Sequence, residues 1–225
     1  MTGDQLLCSS VALRGVYPIV DLESLERRGV DAIVFAEQVL AARPALVQLR
    51  AKSAGARLTL ELLRALLPLC RKVGTLLFAN DRPDLALLAG ADGVHVGQDD
   101  LPLAEVRRFA PGLRVGVSTH DFEQLERALA ERPDYVAFGP VFATPSKRNH
   151  EPVVGLEGLE RAHELSAAAK VPLVAIGGID LERAALAGAH AEVVAVIGAL
   201  LPAAASLDVV TERALALQRA VLDAR

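Results

Sequence analysis

Along this chain, short segments that are apolar throughout alternate with longer ones in which apolar residues return every three to four positions. The first pattern predicts strands covered on both faces, and the second predicts helices with one buried stripe. The opening strand is Gly15-Val-Tyr-Pro-Ile-Val-Asp21, followed by a helix over 30–42 that Arg43-Pro44 closes. A strand over 45–50 leads to an amphipathic helix over 58–73, ended by Gly74. Further strands are predicted over 75–80, 93–97, 114–119, 135–141, 171–178 and 193–198. Their helices follow over 83–88, 102–110, 122–131, 156–168, 181–186 and 207–224, with Asp121 and Asp180 as N-caps and Pro83 in a first turn.

Eight strand–helix alternations in 225 residues point to a single α/β domain, a closed (β/α)8 TIM barrel over residues 15–225 behind a leader of residues 1–14. A doubly wound open sheet is the alternative. Its first strand–helix turn would usually carry a glycine fingerprint, and Asp21-Leu-Glu-Ser is not one.

Composition narrows the partners. A net charge of −4 leaves no face-wide basic stripe to replace counterions, so no nucleic-acid surface is expected. Cys8 and Cys70 are isolated thiols without metal-ligand spacing, which fits a reducing compartment. The start, MTGDQLLCSS, lacks the basic region and long apolar run of a signal peptide, and no apolar run reaches membrane-spanning length. The expectation is a cytoplasmic protein with no membrane partner.

A barrel gathers its chemistry in the loops after the strands. Gln48, Arg50 and Lys52 alternate after strand two; Asn80 and Asp81 follow strand three; Asp99 and Asp100 follow strand four. Ser118, Thr119 and His120 follow strand five, Thr144-Pro145-Ser146-Lys147-Arg148 strand six, Gly177-Gly178 strand seven and Ile197-Gly198 strand eight. Two carboxylates on adjacent strands beside several cations suit a Mg²⁺–diphosphate site. Asp81 before Pro83 and Asp100 before Pro102 also suit helix caps, and Asp99 competes with Asp100 as ligand. Hydroxyls and cations around Pro145, with the glycine pair, suggest oxyanion binding, including a second phosphate held by backbone N–H groups.

Seven stretches in order then resemble one family, the thiamine-phosphate synthases. They are Gln48-Leu-Arg50-Ala-Lys52, Ala79-Asn80-Asp81, Gly93-Val-His-Val-Gly-Gln-Asp-Asp100, Gly116-Val-Ser118, Gly139-Pro-Val-Phe-Ala-Thr-Pro-Ser-Lys147, Val154-Gly-Leu-Glu-Gly-Leu159 and Ile176-Gly-Gly-Ile179. The resemblance implies condensation of hydroxymethylpyrimidine diphosphate with hydroxyethylthiazole phosphate, giving thiamine phosphate and pyrophosphate. It implies that Gln48, Leu49, Arg50, Ala51, Lys52, Asn80, Ser118 and Lys147 bind the pyrimidine diphosphate, with Arg50, Lys52, Ser118 and Lys147 catalytic. Asp81 and Asp100 would hold Mg²⁺, while Thr144, Pro145, Ser146, Gly178, Ile197 and Gly198 would bind the thiazole phosphate. The family's substitution is dissociative: diphosphate leaves, a pyrimidine-stabilised cation forms, and the thiazole nitrogen attacks. Such a reaction needs cations where charge develops, so His95, His120 and His150 need no catalytic role, with His120 the fallback base.

Departures from the family pattern are Ala143 for Pro, Ser146 for Thr, and no Thr before Asp21. At strand eight, Ala191-Glu-Val-Val194 replaces Ala-Asp-Gly-Val, and Gly198 replaces a common Ser. Without that hydroxyl, weaker thiazole phosphate binding is expected. Segments 52–57 and 143–152 are candidates for closing over the substrates. A TenI-like thiazole tautomerase shares the strand-five His and the strand-six loop but tends to lack the acids retained here as Asp81 and Asp100. A non-catalytic regulator binding thiamine precursors would not require the metal site. A phosphosugar isomerase or aldolase would want a Lys or Glu at a strand end for carbon-acid chemistry, and none stands out.

Overall fold

Every strand of this protein covers both faces, and alternate side chains serve two different cores. The computed structural model describes residues 13–144, 152–202 and 207–224. Eight parallel strands close in sequence order, β1 (Gly15–Asp21), β2 (Leu46–Arg50), β3 (Leu76–Asn80), β4 (Gly93–Val96), β5 (Arg114–Thr119), β6 (Tyr135–Phe138), β7 (Leu173–Ile176) and β8 (Val193–Val196), with β8 pairing back to β1. The helices are α1 (Leu22–Glu26), α2 (Ala32–Leu40), α3 (Ala56–Val73), α4 (Pro83–Ala89), α5 (Leu103–Phe109), α6 (Phe122–Ala130), α7 (Gly155–Ala169), α8 (Leu181–Gly188) and α9 (Asp208–Leu222). This is the expected (β/α)8 barrel.

Outward residues such as Val20, Val47, Leu49, Leu77 and Val94 form one continuous core with the helices. Inward residues form a second core that plugs the barrel, including Tyr17, Ile19, Leu46, Phe78, Tyr135, Val174 and Val193. Burying each such aliphatic side chain contributes about 1.5–3 kcal/mol. The plug is interlocked by size. A Cβ on Gly116 would fall within the Tyr135 ring, so the bare backbone of β5 makes the space that the tyrosine of β6 fills.

Several boundaries differ from the pattern-based expectation, each for a local reason. The strand expected over 135–141 stops at Phe138. Pro140 cannot donate to a ladder, and Val141 and Phe142 instead donate to Ile176 and Gly177 at the end of β7, 2.9 and 3.0 Å. The strand expected to reach 198 stops at Val196 and gives way to a 3₁₀ turn, Gly198–Leu200. Helix α1 is too short to show a period; Asp21 caps it by accepting from Ser24 N at 3.0 Å. Asp121 and Asp180 cap α6 and α8 as expected. No helix of the described residues is long and apolar enough to cross a membrane.

Candidate active site

Strand ends place the chemistry-bearing residues on one rim. On β2, the period of two turns Gln48 and Arg50 inward and sends Leu49 to the helix side, where it is sealed. Leu49 therefore has only its backbone to offer a ligand, and Ala51 likewise packs against the helix-side core. The Arg50 guanidinium pairs with Asp21, buried at the end of β1, and stands 3.9 Å from Glu23. Glu23 in turn accepts from Ser53 N and Oγ at 2.6 and 2.8 Å. Burial pushes the Glu23 carboxyl up, but the Ser53 hydrogen bonds and Arg50 outweigh it and leave it below its ordinary value. Arg50 is thus pre-aimed by two acids, and the segment after β2 is strapped to α1.

Lys52 continues the line and lies 3.2 Å from Asp81. Neither acid is a helix cap. Arg82 is the N-cap of α4 and Pro102 that of α5, both without a side-chain cap bond. Asp81 sits in a left-handed turn at φ 61°, its N–H given to His95 O at 2.8 Å. Asp100 accepts from Gly97 N at 2.7 Å, closing the turn after β4. The Asp81 carboxyl is pushed above the usual range by burial and by the Asp100 carboxylate beside it, against the opposing pull of Lys52. Asp99 is exposed.

Two facing oxygen donors that repel each other until a cation arrives suit Mg²⁺, which is commonly bound through one or two carboxylates with phosphate and water completing the shell. Among the described residues no group of three or more His, Cys, Asp or Glu is placed to hold a metal ion, so the Asp81–Asp100 pair is a two-carboxylate site.

Asn80 ends β3 on the same inner face, and Ser118 is buried near the end of β5, its carbonyl accepting from Gln98 Nε2 at 2.6 Å. Thr119 points outward and donates to Ala137 O at 2.9 Å, a structural bond. His120 brings its Nδ1 to Gly139 O at 2.7 Å, so Nδ1 carries the proton. It lines a cavity of about 400 Å³ with Phe122, Phe138 and Val153 outside the barrel. The Gly139 carbonyl thus commits Nδ1 of the fallback base to the β6 loop.

Across the mouth on the same rim, Gly178 adopts φ 64°, and a Cβ there would lie 2.5 Å from Ala143 O. Only glycine lets the β7 loop pass under the β6 loop so closely. Thr144 is half-buried beside it, and Ile197 precedes the 3₁₀ turn that begins at Gly198. A Cβ on Gly198 would meet nothing within 4 Å. Pro145, Ser146, Lys147 and Arg148 lie outside the described residues.

Below the rim runs a hydrogen-bonded chain whose role the pattern of apolar strands concealed. Gln48 Nε2 donates to Tyr17 Oη at 2.7 Å, Tyr17 Oη meets Tyr135 Oη at 3.0 Å, and Tyr135 Oη meets His95 Nδ1 at 2.9 Å. The Tyr135 ring also stacks on His95, 5.7 Å between centroids. Burial raises both phenols well above the ordinary value, so both stay protonated. The signal available in sequence was positional: Tyr17, Gln48, His95 and Tyr135 all occupy inward positions of their strands. Asp21, the partner of Arg50, was legible only as an acid at a strand end.

The family profile described as thiamine monophosphate synthase matches residues 16–200. The chain is 44% identical over 194 residues to a thiamine-phosphate synthase of Anaeromyxobacter dehalogenans, covering 85% of this chain and 82% of that protein. It is 51% identical over 145 residues to one of Thermus thermophilus, covering 64% and 68%. A solved structure of thiamine phosphate pyrophosphorylase from Pyrococcus furiosus superposes with a TM-score of 0.81 at 30% identity, over 95% of this chain and 98% of that one.

Proposed function

The chain belongs to the thiamine monophosphate synthase family, and on that premise we propose that it joins hydroxymethylpyrimidine diphosphate to hydroxyethylthiazole phosphate, releasing pyrophosphate. The observation that carries this reading is the pairing of Asp81 with Asp100 beside Lys52, with Arg50 two residues before Lys52 on the same rim and held by Asp21. A tautomerase acting on the thiazole alone has no diphosphate to ionise and no use for that cluster.

In this reading Asp81 and Asp100 hold Mg²⁺. Held there, the ion would neutralise charge on the diphosphate. Arg50, Lys52 and Asn80 bind the diphosphate oxygens, with Ser118 and Lys147 completing the pocket. The C–O bond to the leaving group breaks, its electron pair goes to pyrophosphate, and the aminopyrimidine ring shares the positive charge left on its exocyclic carbon. The thiazole nitrogen then donates its lone pair to that carbon, and no protein nucleophile is required. Arg50 contributes because the acids at positions 21 and 23 fix it before charge develops; a preset donor of this kind is worth about 10²–10³ in rate. Leu49 and Ala51 contribute backbone and packing only. Thr144, Pro145, Ser146, Gly178, Ile197 and Gly198 bind the thiazole phosphate, largely through N–H groups. The reading implies small phosphorylated substrates, Mg²⁺ dependence and a cytoplasmic site of action.

The test is a coupled assay that follows thiamine phosphate and pyrophosphate together, with and without Mg²⁺, alongside Asp81→Ala. Stoichiometric, Mg²⁺-dependent formation of both products, lost in the variant, is expected. Folded wild-type protein yielding neither product would overturn the reading.

A further inference from the structure

Gln48 is nearly sealed, 2% exposed, yet its two amide atoms have different fates. Nε2 points down the barrel to Tyr17. Oε1 takes no hydrogen bond among the described residues, and it is absent from the fully sealed unpaired atoms there, which are Glu23 Oε2 and Ser166 Oγ. The oxygen is thus left for a ligand, one inward position below Arg50 on the same strand.

Proton bookkeeping along the buried chain makes this orientation more than a local choice. Three links, Gln48–Tyr17, Tyr17–Tyr135 and Tyr135–His95, each need one proton. Each phenol brings one. With the Gln48 nitrogen supplying the first link, Tyr17 supplies the second, Tyr135 the third, and His95 Nδ1 must accept. With His95 Nδ1 protonated, every donor reverses, and Gln48 must turn its oxygen down and its NH₂ up. Mixed arrangements leave a surplus proton or a missing link between groups that are 0–1% exposed at the tyrosines. An unsatisfied group sealed there is costly, so the chain has two concerted states.

We propose that Tyr17, Tyr135 and His95 are positioning residues that fix the Gln48 amide with its oxygen toward the substrate, so that the site selects a pyrimidine bearing a hydrogen-bond donor, its ring amine. The proposal rests on the reading that Gln48 meets the pyrimidine of the diphosphate substrate. It assigns the selectivity to residues that touch no substrate: Gln48 makes the contact, and the chain beneath decides which end of the amide makes it. Every link conserves protons and no covalent step is involved.

Direct binding decides it. Calorimetric titration compares the 4-aminopyrimidine diphosphate with its counterpart carrying hydrogen in place of the amine, for wild type, Tyr135→Phe, His95→Leu and His95→Asn. Wild type should prefer the amine by roughly tenfold or more. Tyr135→Phe and His95→Leu should erase most of that ratio while leaving thiazole phosphate affinity unchanged. His95→Asn should restore it, because Asn Oδ1 stands where Nδ1 accepted. Nitrogen-15 shifts of His95 in wild type should show an unprotonated Nδ1. A ratio unchanged in the folded Phe and Leu variants, or a protonated Nδ1, would overturn the proposal; if Tyr135→Phe fails to fold, the His95 pair carries the test alone. Absence of turnover with an intact amine preference would fail the catalytic reading instead.

Discussion

Lys52 Nζ stands 3.2 Å from Asp81 Oδ2, a cation after β2 compensating a carboxylate whose other neighbour is the carboxylate of Asp100. Lys52 is more than half exposed, so its contribution is screened and the acids are held together at a cost. Removing the Asp81 charge relieves that cost. Asp81→Asn should leave the metal-free protein at least as stable as wild type at neutral pH, with a midpoint higher by up to about 2–4 °C. Mg²⁺ at a hundred times its dissociation constant should stabilise wild type by about 2.7 kcal/mol. The variant should lose that response. Thermal unfolding of both proteins with and without Mg²⁺ checks the two signs together, and an undiminished Mg²⁺ response in the variant would remove Asp81 from the metal site.

Glu23 gives the clearest pH signature. Its carboxyl lies below the ordinary value of 4.5, because the Ser53 hydrogen bonds and Arg50 outweigh its burial. A lowered folded value means that the unfolded chain binds protons first as pH falls. The contribution of Glu23 is therefore complete above the unfolded value and is lost as pH drops through the folded one. Glu23→Gln should cost about 1 kcal/mol at pH 7 and converge on wild type in acid. Urea unfolding at several pH values measures the difference, and a constant difference down to acid pH would contradict it.

The barrel was legible in the sequence because its strands are apolar on both faces and separated by helices with clean stripes, such as α3. Boundaries failed where local hydrogen bonding overrides pattern: β6 ends early because Pro140 cannot donate and its neighbours bond to β7 instead. The rim residues were legible because loop position in a barrel implies function; Lys52, Asp81 and Asp100 do meet there, while Arg50 pairs with Asp21 on the same rim. Their supports were not. Asp21 and Glu23 act through side-chain geometry that a strand–helix pattern does not encode. Tyr17, Tyr135 and His95 read as core, which they are, and their hydroxyl and ring nitrogen become a chain only when three strands are brought into register.

Gly116 tests the interlock beneath that chain. A Cβ there would enter the Tyr135 ring, and the ring is locked by its bonds to Tyr17 and His95. Neither partner can give way without breaking a buried hydrogen bond. Gly116→Ala should cost about 3 kcal/mol, at the upper end for overpacking, although alanine suits a strand no worse than glycine. Denaturant unfolding reads the loss. Combining it with Tyr135→Phe should not restore stability, since the clash involves ring carbons as well as the hydroxyl.

Gly198 presents the opposite situation, an absence with room to fill. It opens the 3₁₀ turn after β8, its backbone avoids the left-handed region, and a Cβ there would meet nothing within 4 Å. A serine is therefore admissible on steric grounds, and its hydroxyl would stand at the rim proposed to hold the thiazole phosphate. A hydrogen bond to a charged oxygen is worth about 1.5–3 kcal/mol when well placed. Gly198→Ser should accordingly lower KM for the thiazole phosphate roughly tenfold. KM for the pyrimidine diphosphate should stay unchanged, as the Asp81–Asp100 cluster belongs to the other side of the mouth. Steady-state kinetics with each substrate varied in turn separates the effects. A thiazole phosphate KM equal to wild type would mean that backbone N–H groups already saturate the phosphate, or that it binds away from β8. Titration of inorganic phosphate against the two proteins then decides between those, because saturation predicts equal, tight binding and a displaced site predicts none at this rim.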